Sequence, residues 1–366
     1  MKSGLTIQQL AQRLDDIKNA KQDFLIDTRG VKLEPVDTGK NLVAKVMDTQ
    51  EFVVQPHALR QMEDRLKVPA KFADRLYQDH PDLLCDLVNE LFQREPERRL
   101  FRTINTNLRA FMSDSYRIMD NFDLAQAVLP VLIEHGAEVV SCDVTERKMY
   151  IKALRPDLQA EFGPPEGKEM GVGHHFFIEK VTAGITISNS EIGCGGLNVQ
   201  PSVFTQRCTN WASFQDSRYH KVHLGKRASG DAESMVWDVM SDNTRKLSDE
   251  ALWSQVRDFT VASMDGTLFD KIVDKLRASR GETIQGDPTV MIEKVQDKFG
   301  FTQAETGGIL NHLIQGGDLS KYGLHAAVTR AAADLESYDR ATELEQIGAD
   351  IIDLPKNQWQ TLAVAA

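Results

Sequence analysis

Apolar residues recur at helical spacing near the start of the chain. Ile7, Leu10, Ala11, Leu14 and Ile17 share one face, and Thr6 stands where an N-cap belongs. The period then shortens. Segments 23–27, 31–35, 41–46 and 51–54 alternate as strands, with Arg29-Gly30 and Thr38-Gly39 in the turns between them, which predicts a small antiparallel sheet. From 56 to about 94 the helical period returns, interrupted by Pro69 and Pro81, each near a helix start where proline is tolerated.

The middle of the chain mixes the two periods. Segment 108–112 reads as a strand, Asn121 caps a helix running to Gly136, and 137–140 and 148–154 are strands joined by a polar turn. Segment 157–173, with Pro164-Pro165 and several glycines, reads as a loop. Two further strands are expected at 174–179 and 182–188. A glycine-rich turn, Gly193-Cys194-Gly195-Gly196, then precedes an extended 197–199 and a helix from Pro201 onward. Beyond about Ser229 the pattern is almost wholly helical. It forms one long amphipathic stretch over 232–280, a break at Gly286-Asp287-Pro288, and shorter helices over 289–299, 302–314, 323–335 and 337–348. The fold class that follows is α+β: an antiparallel sheet core with packed helices. Soft boundaries near 100 and 230 separate an N-terminal small sheet plus helices (1–100), a central α+β core (101–229) and a mostly helical acidic C-terminal region (230–366).

Length and composition narrow the class. With 366 residues, 41% hydrophobic and 27% charged, the chain has the balance of a water-soluble globular protein of two or three packed units. No run approaches the roughly 18 to 20 apolar residues of a membrane span. The opening residues lack the apolar core of a signal peptide, so a cytoplasmic protein with no membrane partner is expected. Cys85, Cys142, Cys194 and Cys208 contain no C-x-x-C pair and read as reduced thiols. The formal charge of −11 disfavours a general nucleic-acid binder. The acid is unevenly placed, however. From Ala228 onward there are 13 Lys plus Arg against 23 Asp plus Glu, which leaves the first 227 residues at 30 against 31.

Motifs for catalysis are weak. There is no Gly-x-Ser-x-Gly elbow and no His-Glu-x-x-His, and the glycine-rich turn lacks the Lys-Ser/Thr of a phosphate-binding loop. Adjacent His174 and His175 point to opposite faces of a strand, and Cys194, Cys208, His220 and His223 match no standard zinc spacing, so neither metal nor cofactor is expected. The stronger signal is basic and aromatic. Arg207, Arg218, Lys221, Lys226 and Arg227 interleave with Phe204, Trp211, Phe214 and Tyr219 against the single acid Asp216, the combination a groove for single-stranded nucleic acid requires. A second cluster, Arg94, Arg98, Arg99, Arg102, Arg109 and Arg117, lies in a stretch with only three acids.

Certain residues also form a pattern. The run 108–121, with Arg109, Ser113, Tyr116, Asp120 and Asn121, resembles the R-x-x-x-S-x-x-Y-x-x-x-D-N opening of a phage and plasmid protein family of unknown function. Asn189-Ser190-Glu191-Ile192-Gly193 followed by Cys208-Thr209-Asn210 looks like its central signature, and segments 322–330 and 338–345 are similar to its tail. The likeness covers roughly 100–360. It implies a mobile-element protein with a remote kinship to single-strand annealing proteins, which hold DNA in a basic groove as rings or filaments, and it brings no catalytic set.

The expectation is therefore a phage or plasmid DNA-metabolism protein that binds single-stranded DNA as a homo-oligomer, a recombination or annealing factor without enzymatic activity. Arg207, Arg218, Lys221, Lys226 and Arg227 contact phosphates, Trp211, Phe214 and Tyr219 stack on bases, and Arg109 and Arg117 extend the path. Two alternatives stay open. One is an enzyme with its site in the 188–208 loop, using Glu191, Cys194, His174 or His175. The other is a factor that docks a phage or host protein through its acidic C-terminal helices.

Overall fold

The computed structural model describes residues 1–36, 41–47, 49–163, 178–206, 209–215, 218–221 and 242–364, the side chains of 242–246 excepted. Helix α1 (Ile7–Ala20) opens with a capping box: the Thr6 hydroxyl accepts from the Gln9 backbone N–H while the Gln9 side chain accepts from the Thr6 N–H. Its Leu10 and Leu14 are buried. Strands β1 (Lys21–Asp27), β2 (Val31–Pro35), β3 (Leu42–Val46) and β4 (Gln50–Val54) then enter the first sheet. Helices α2 (Pro56–Arg65), α3 (Ala70–Asp79) and α4 (Pro81–Arg94) follow, with Pro56 and Pro81 in the first turn of α2 and α4, where the missing N–H costs nothing.

The hairpin of β5 (Arg98–Ile104) and β6 (Asn107–Ser113) completes that sheet in the order β1-β5-β6-β4-β3-β2. All neighbours are antiparallel except β4 and β6, which run parallel at Val53–Asn107 and Val54–Leu108. One face buries Leu33, Ala44, Phe101 and Phe111 against Met62, Leu84, Val88 and Phe92 of the helices. A boundary at residue 100 therefore falls inside a hairpin, and the first sheet continues through Ser113. Strand β5 (sequence Arg98-Arg-Leu-Phe-Arg-Thr-Ile104) escapes the periodicity reading because its buried run, Leu100 to Thr103, does not alternate and includes the charge of Arg102.

The second sheet is antiparallel: β7 (Glu138–Val144), β8 (Met149–Phe162), β9 (Glu179–Asn189), β10 (Leu197–Thr205) and β11 (Asn210–Ser213) in the order β11-β10-β9-β8-β7, with β12 (Tyr219–Lys221) pairing β10. Two expectations are corrected here. Strand β8 runs on to Phe162, past a bulge between Arg155 and Gln159, where the sequence predicts a loop from 157. The segment from Pro201 is strand, not helix, because Val199, Val203 and Thr205 are β-branched and pair residue by residue with β9. The expected strand at 174–179 falls mostly outside the described residues.

Helices cover both faces of the second sheet. Met149, Ile151, Ile185, Ile187 and Val199 pack on α1, on α5 (Asn121–Glu134) and on Leu252 and Val256 of α6 (Asp242–Ala262). Toward the β11 edge, Val181, Val203 and Phe214 pack on α7 (Gly266–Ser279). The expected stretch over 232–280 divides there because Asp265 caps α7 through the Thr267 N–H. Helices α8 (Pro288–Phe299), α9 (Gln303–Gly316), α10 (Lys321–Asp334), α11 (Tyr338–Asp353) and α12 (Lys356–Ala363) share a third core of Met291, Val295, Ile309, Leu324, Leu344 and Trp359. Helices α10 and α11 lie against β11 and the polar face of the sheet. No helix of the described residues is long and apolar enough to cross a membrane.

Candidate functional site

The free face of the first sheet meets the second sheet through the turn after β9. Ile192 sits among Leu100, Ala110 and Met112, and hydrogen bonds hold the turn from every side. The Ser190 hydroxyl donates to the Arg147 carbonyl (2.8 Å) and accepts from the Cys194 N–H (2.9 Å), and the Tyr116 hydroxyl donates to the Ser190 carbonyl (3.2 Å). Buried Glu191 accepts from the Asn121 N–H (2.8 Å) and from Arg109 (3.3 Å), while Asn189 donates to Asn121 Oδ1 (2.9 Å). Arg102, 3% exposed, donates to the Glu191 carbonyl, Asp23 and Asp120, and Asp120 also pairs with Lys21. Burial of so many charges is tolerated because each guanidinium edge finds a carboxylate or carbonyl. Segments 108–121 and 189–193 are thus one interlocked joint.

Beside this joint opens a cleft of about 660 Å³ between α1, the start of α2, the β5–β6 turn and the β7–β8 turn. Ile17, Ala20, Ile104, Val144 and Ile192 give it apolar walls. Arg13, Arg109 and Arg147 reach it from three separate elements, with Asp16 and Glu146 as its acids and Gln55, Asn105 and Asn107 as its amides. Arg13 and Arg147 are exposed. His57, second residue of α2, also lines it. Its Nε2 lies 2.8 Å from the Ile192 carbonyl, which can only accept, so Nε2 carries a proton whatever the state of Nδ1.

Cys194 Sγ lies 3.7 Å from that Nδ1 and 3.6 Å from Nε2. Contact with the sulfur raises the His57 pKa against the opposing effect of burial. Burial pushes the Cys194 thiol up, but His57 and the Arg147 guanidinium together outweigh it, and the thiol pKa falls below its ordinary value. The near-equal distances place sulfur off both ring N–H axes, so this is a contact of charges more than a directed hydrogen bond.

The residues expected to form a nucleic-acid track do not gather in this way. Trp211 and Phe214, expected to stack on bases, are 0% and 2% exposed and belong to the core. The Trp211 indole N–H donates to the Thr186 hydroxyl (2.8 Å), and its ring lies over Gly184, where a Cβ would come within 2.7 Å of it. Arg117, expected to extend the path, instead binds the Ser248 carbonyl and Asp249 (2.6 Å) of α6. Tyr219 packs on Phe259, ring centroids 4.4 Å apart. Arg218 is exposed and donates to Gln215 (2.6 Å), Lys221 is half-buried on β12, and neither lines the cleft. Among the described residues of the expected set, Arg109 alone lines the cleft, held by Glu191. Arg207, Lys226 and Arg227 lie outside the described residues.

Of the alternative set, Glu191 is a buried strut of the joint and Cys194 stands at the cleft margin, while His174 and His175 lie outside the described residues. No group of three or more His, Cys, Asp or Glu among the described residues is placed to hold a metal ion. His220 bonds Asn198 (2.6 Å), and Cys208 and His223 are outside the described residues. Sequence reasoning missed His57, Arg13 and Arg147. His57 is 137 positions from Cys194, and the only local hint is its place behind Pro56 at a helix start that follows a strand.

No family model, curated protein or solved structure matches the chain.

Proposed function

We propose that the cleft between the sheets binds a nucleotide-bearing anion, an unpaired DNA strand taken one or two residues at a time. The observation that supports this reading is the convergence of Arg13, Arg109 and Arg147 from three separate elements on one open, apolar-walled cleft in a chain of net charge −11. Its volume, about 660 Å³, is within the range of small-ligand sites. Guanidinium groups meet phosphates, and the amides of Gln55, Asn105 and Asn107 suit the exposed edges of unstacked bases. His57 supplies the one ring among the lining residues described, so phosphate contact outweighs stacking and base preference is slight. The resemblance set out above supplies the setting, DNA metabolism of a phage or plasmid by a homo-oligomer.

Fluorescence anisotropy of a labelled ten-nucleotide strand, titrated across salt, tests the reading. Three phosphate contacts give a slope of log K against log salt of about −2, since each contributes about −0.7 on single strands. The exposed pair Arg13→Gln and Arg147→Gln should remove about 1.4 of that slope. A mononucleotide competitor separates a free nucleotide from a strand as the natural ligand. No binding of either at low salt, or binding untouched by the double substitution, ends the proposal.

A further inference from the structure

Three cysteines are described, and two are inert by burial. Cys85 and Cys142 are 2% and 0% exposed, and desolvation, helped by neighbouring carboxylates, pushes both thiols up to about 12. Cys194 differs in position as well as in charge. It lies half-buried between two exposed glycines, Gly193 (φ +81°) and Gly195 (φ +151°), whose backbone favours glycine. Neither flank adds a side chain of its own; Met112 backs Gly193, and the Lys148 stem and ammonium lie against Gly195, so the half-buried sulfur has a cation on this side too. On the protein side stand His57, whose ring touches the sulfur at 3.6–3.7 Å, and Arg147, a second cation at the sulfur and a wall of the cleft.

We propose that Cys194 is a site of reversible mixed-disulfide formation with anionic low-molecular-weight disulfides, whose carboxylates are received by Arg147. The Cys194 thiolate attacks one sulfur of the disulfide, a new S–S bond forms, and the other half leaves as a thiolate. The electron pair of the broken S–S bond leaves with the departing sulfur, which falls by one oxidation level as the Cys194 sulfur rises by one, so the disulfide itself is the oxidant. The Cys194 thiol releases its proton to solvent, the resulting thiolate being favoured by His57 and Arg147, and the leaving thiolate takes up a proton from solvent according to its own acidity. A second thiol reverses the exchange. Exchange does not depend on a nucleotide entering the cleft.

Full-length protein is treated at pH 7 with anionic dithiobis(2-nitrobenzoate) and, separately, with cationic cystamine. Peptide mapping locates each adduct, and N-acetylcysteine sets the intrinsic rates of the two reagents. Cys194 should react at least about tenfold faster than Cys85 or Cys142 and should favour the anionic reagent more strongly than N-acetylcysteine does. Arg147→Gln should abolish that preference while Cys194 stays reactive. His57→Gln, which can still donate to the Ile192 carbonyl, should slow the reaction about tenfold at pH 7 and move the midpoint of its pH–rate profile upward. Cys194 reacting no faster than the two buried thiols overturns the proposal. An unchanged preference in Arg147→Gln overturns the assignment of Arg147, and an unmoved pH midpoint in His57→Gln overturns the role of His57 in favouring the thiolate.

Discussion

The second sheet meets the rest of the molecule along two seams built from the same kinds of residue. Against the first sheet, buried Arg102 is satisfied by Asp23, Asp120 and the Glu191 carbonyl, and the neighbouring arginines fan out around an open cleft. Against the C-terminal helices, Lys152 and Glu345 are both fully buried, with the Tyr338 ring over the ammonium, and nearby Trp211 is sealed beneath α10 and α11. Basic residues therefore end in two different settings: an open cleft where guanidiniums outnumber carboxylates, and a dry interface where Lys152 is matched by Glu345 within the fold. Which one results is decided by what the tertiary structure lays over the segment.

The largest effects belong to the closed seam. Trp211→Ala removes the largest fully buried side chain and leaves the Thr186 and Ser213 hydroxyls without its indole N–H, so a loss of about 3–5 kcal/mol is expected in urea unfolding. The folded fraction should still bind an oligonucleotide normally, whereas a residue that stacks on bases would show the reverse. Glu345→Ala strands a buried ammonium and should cost roughly 3–5 kcal/mol. Replacing both partners, Lys152→Met with Glu345→Leu, should recover most of that loss, because the desolvation cost of both charges disappears together. If the double variant is no more stable than Glu345→Ala, Lys152 has another obligatory anion and the seam is not a matched pair.

Acid acts on the same seam. His325 of α10 is buried, and desolvation lowers its pKa to about 4, although its contact with the Gly348 carbonyl (2.7 Å) works in the other direction. Between pH 6.5 and 4 the unfolded chain binds a proton that the folded chain refuses, so stability rises with pH across that window and is lost as pH falls. The loss approaches about 3 kcal/mol by pH 4. Chemical unfolding at pH 7 and at pH 4.5 should show a smaller difference for His325→Asn than for the parent, and an equal difference removes His325 as the titrating group.

Much of the frame is legible in the sequence. Thr6 with Gln9, the prolines at 56 and 81, and the alternation over 31–54 announce their elements locally, because capping, proline geometry and strand pleating are properties of a few adjacent residues. What stays hidden is long-range. Segment 200–214 carries β-branched and aromatic residues that suit a strand, yet its prediction as helix makes Trp211 and Phe214 look available. The cleft brings together Arg13, His57, Arg109 and Arg147, and no spacing rule links positions so far apart. Residues 109, 113, 116, 120 and 121 stand out in the sequence as a pattern with no stated purpose. Four of them, all but Ser113, bond into the joint around 189–194, and only the fold shows what they have in common.

The smallest expected effect on stability is also the sharpest test of the open seam. Arg147 is exposed on the β7–β8 turn, and its backbone carbonyl is bound into the joint by the Ser190 hydroxyl. Arg147→Gln keeps that carbonyl and should change unfolding free energy by less than about 0.5 kcal/mol, as surface substitutions away from structural features do. In binding it should lower the salt slope by about 0.7 and weaken affinity uniformly across strand sequences, since a phosphate contact carries no base information. In thiol chemistry the same substitution withdraws one of the two cations at Cys194, so the midpoint for alkylation should rise while His57 still supports the thiolate. If Arg147→Gln instead unfolds the protein as readily as Trp211→Ala, both seams are closed structural interfaces, and the cleft between the sheets is a packing gap without a ligand.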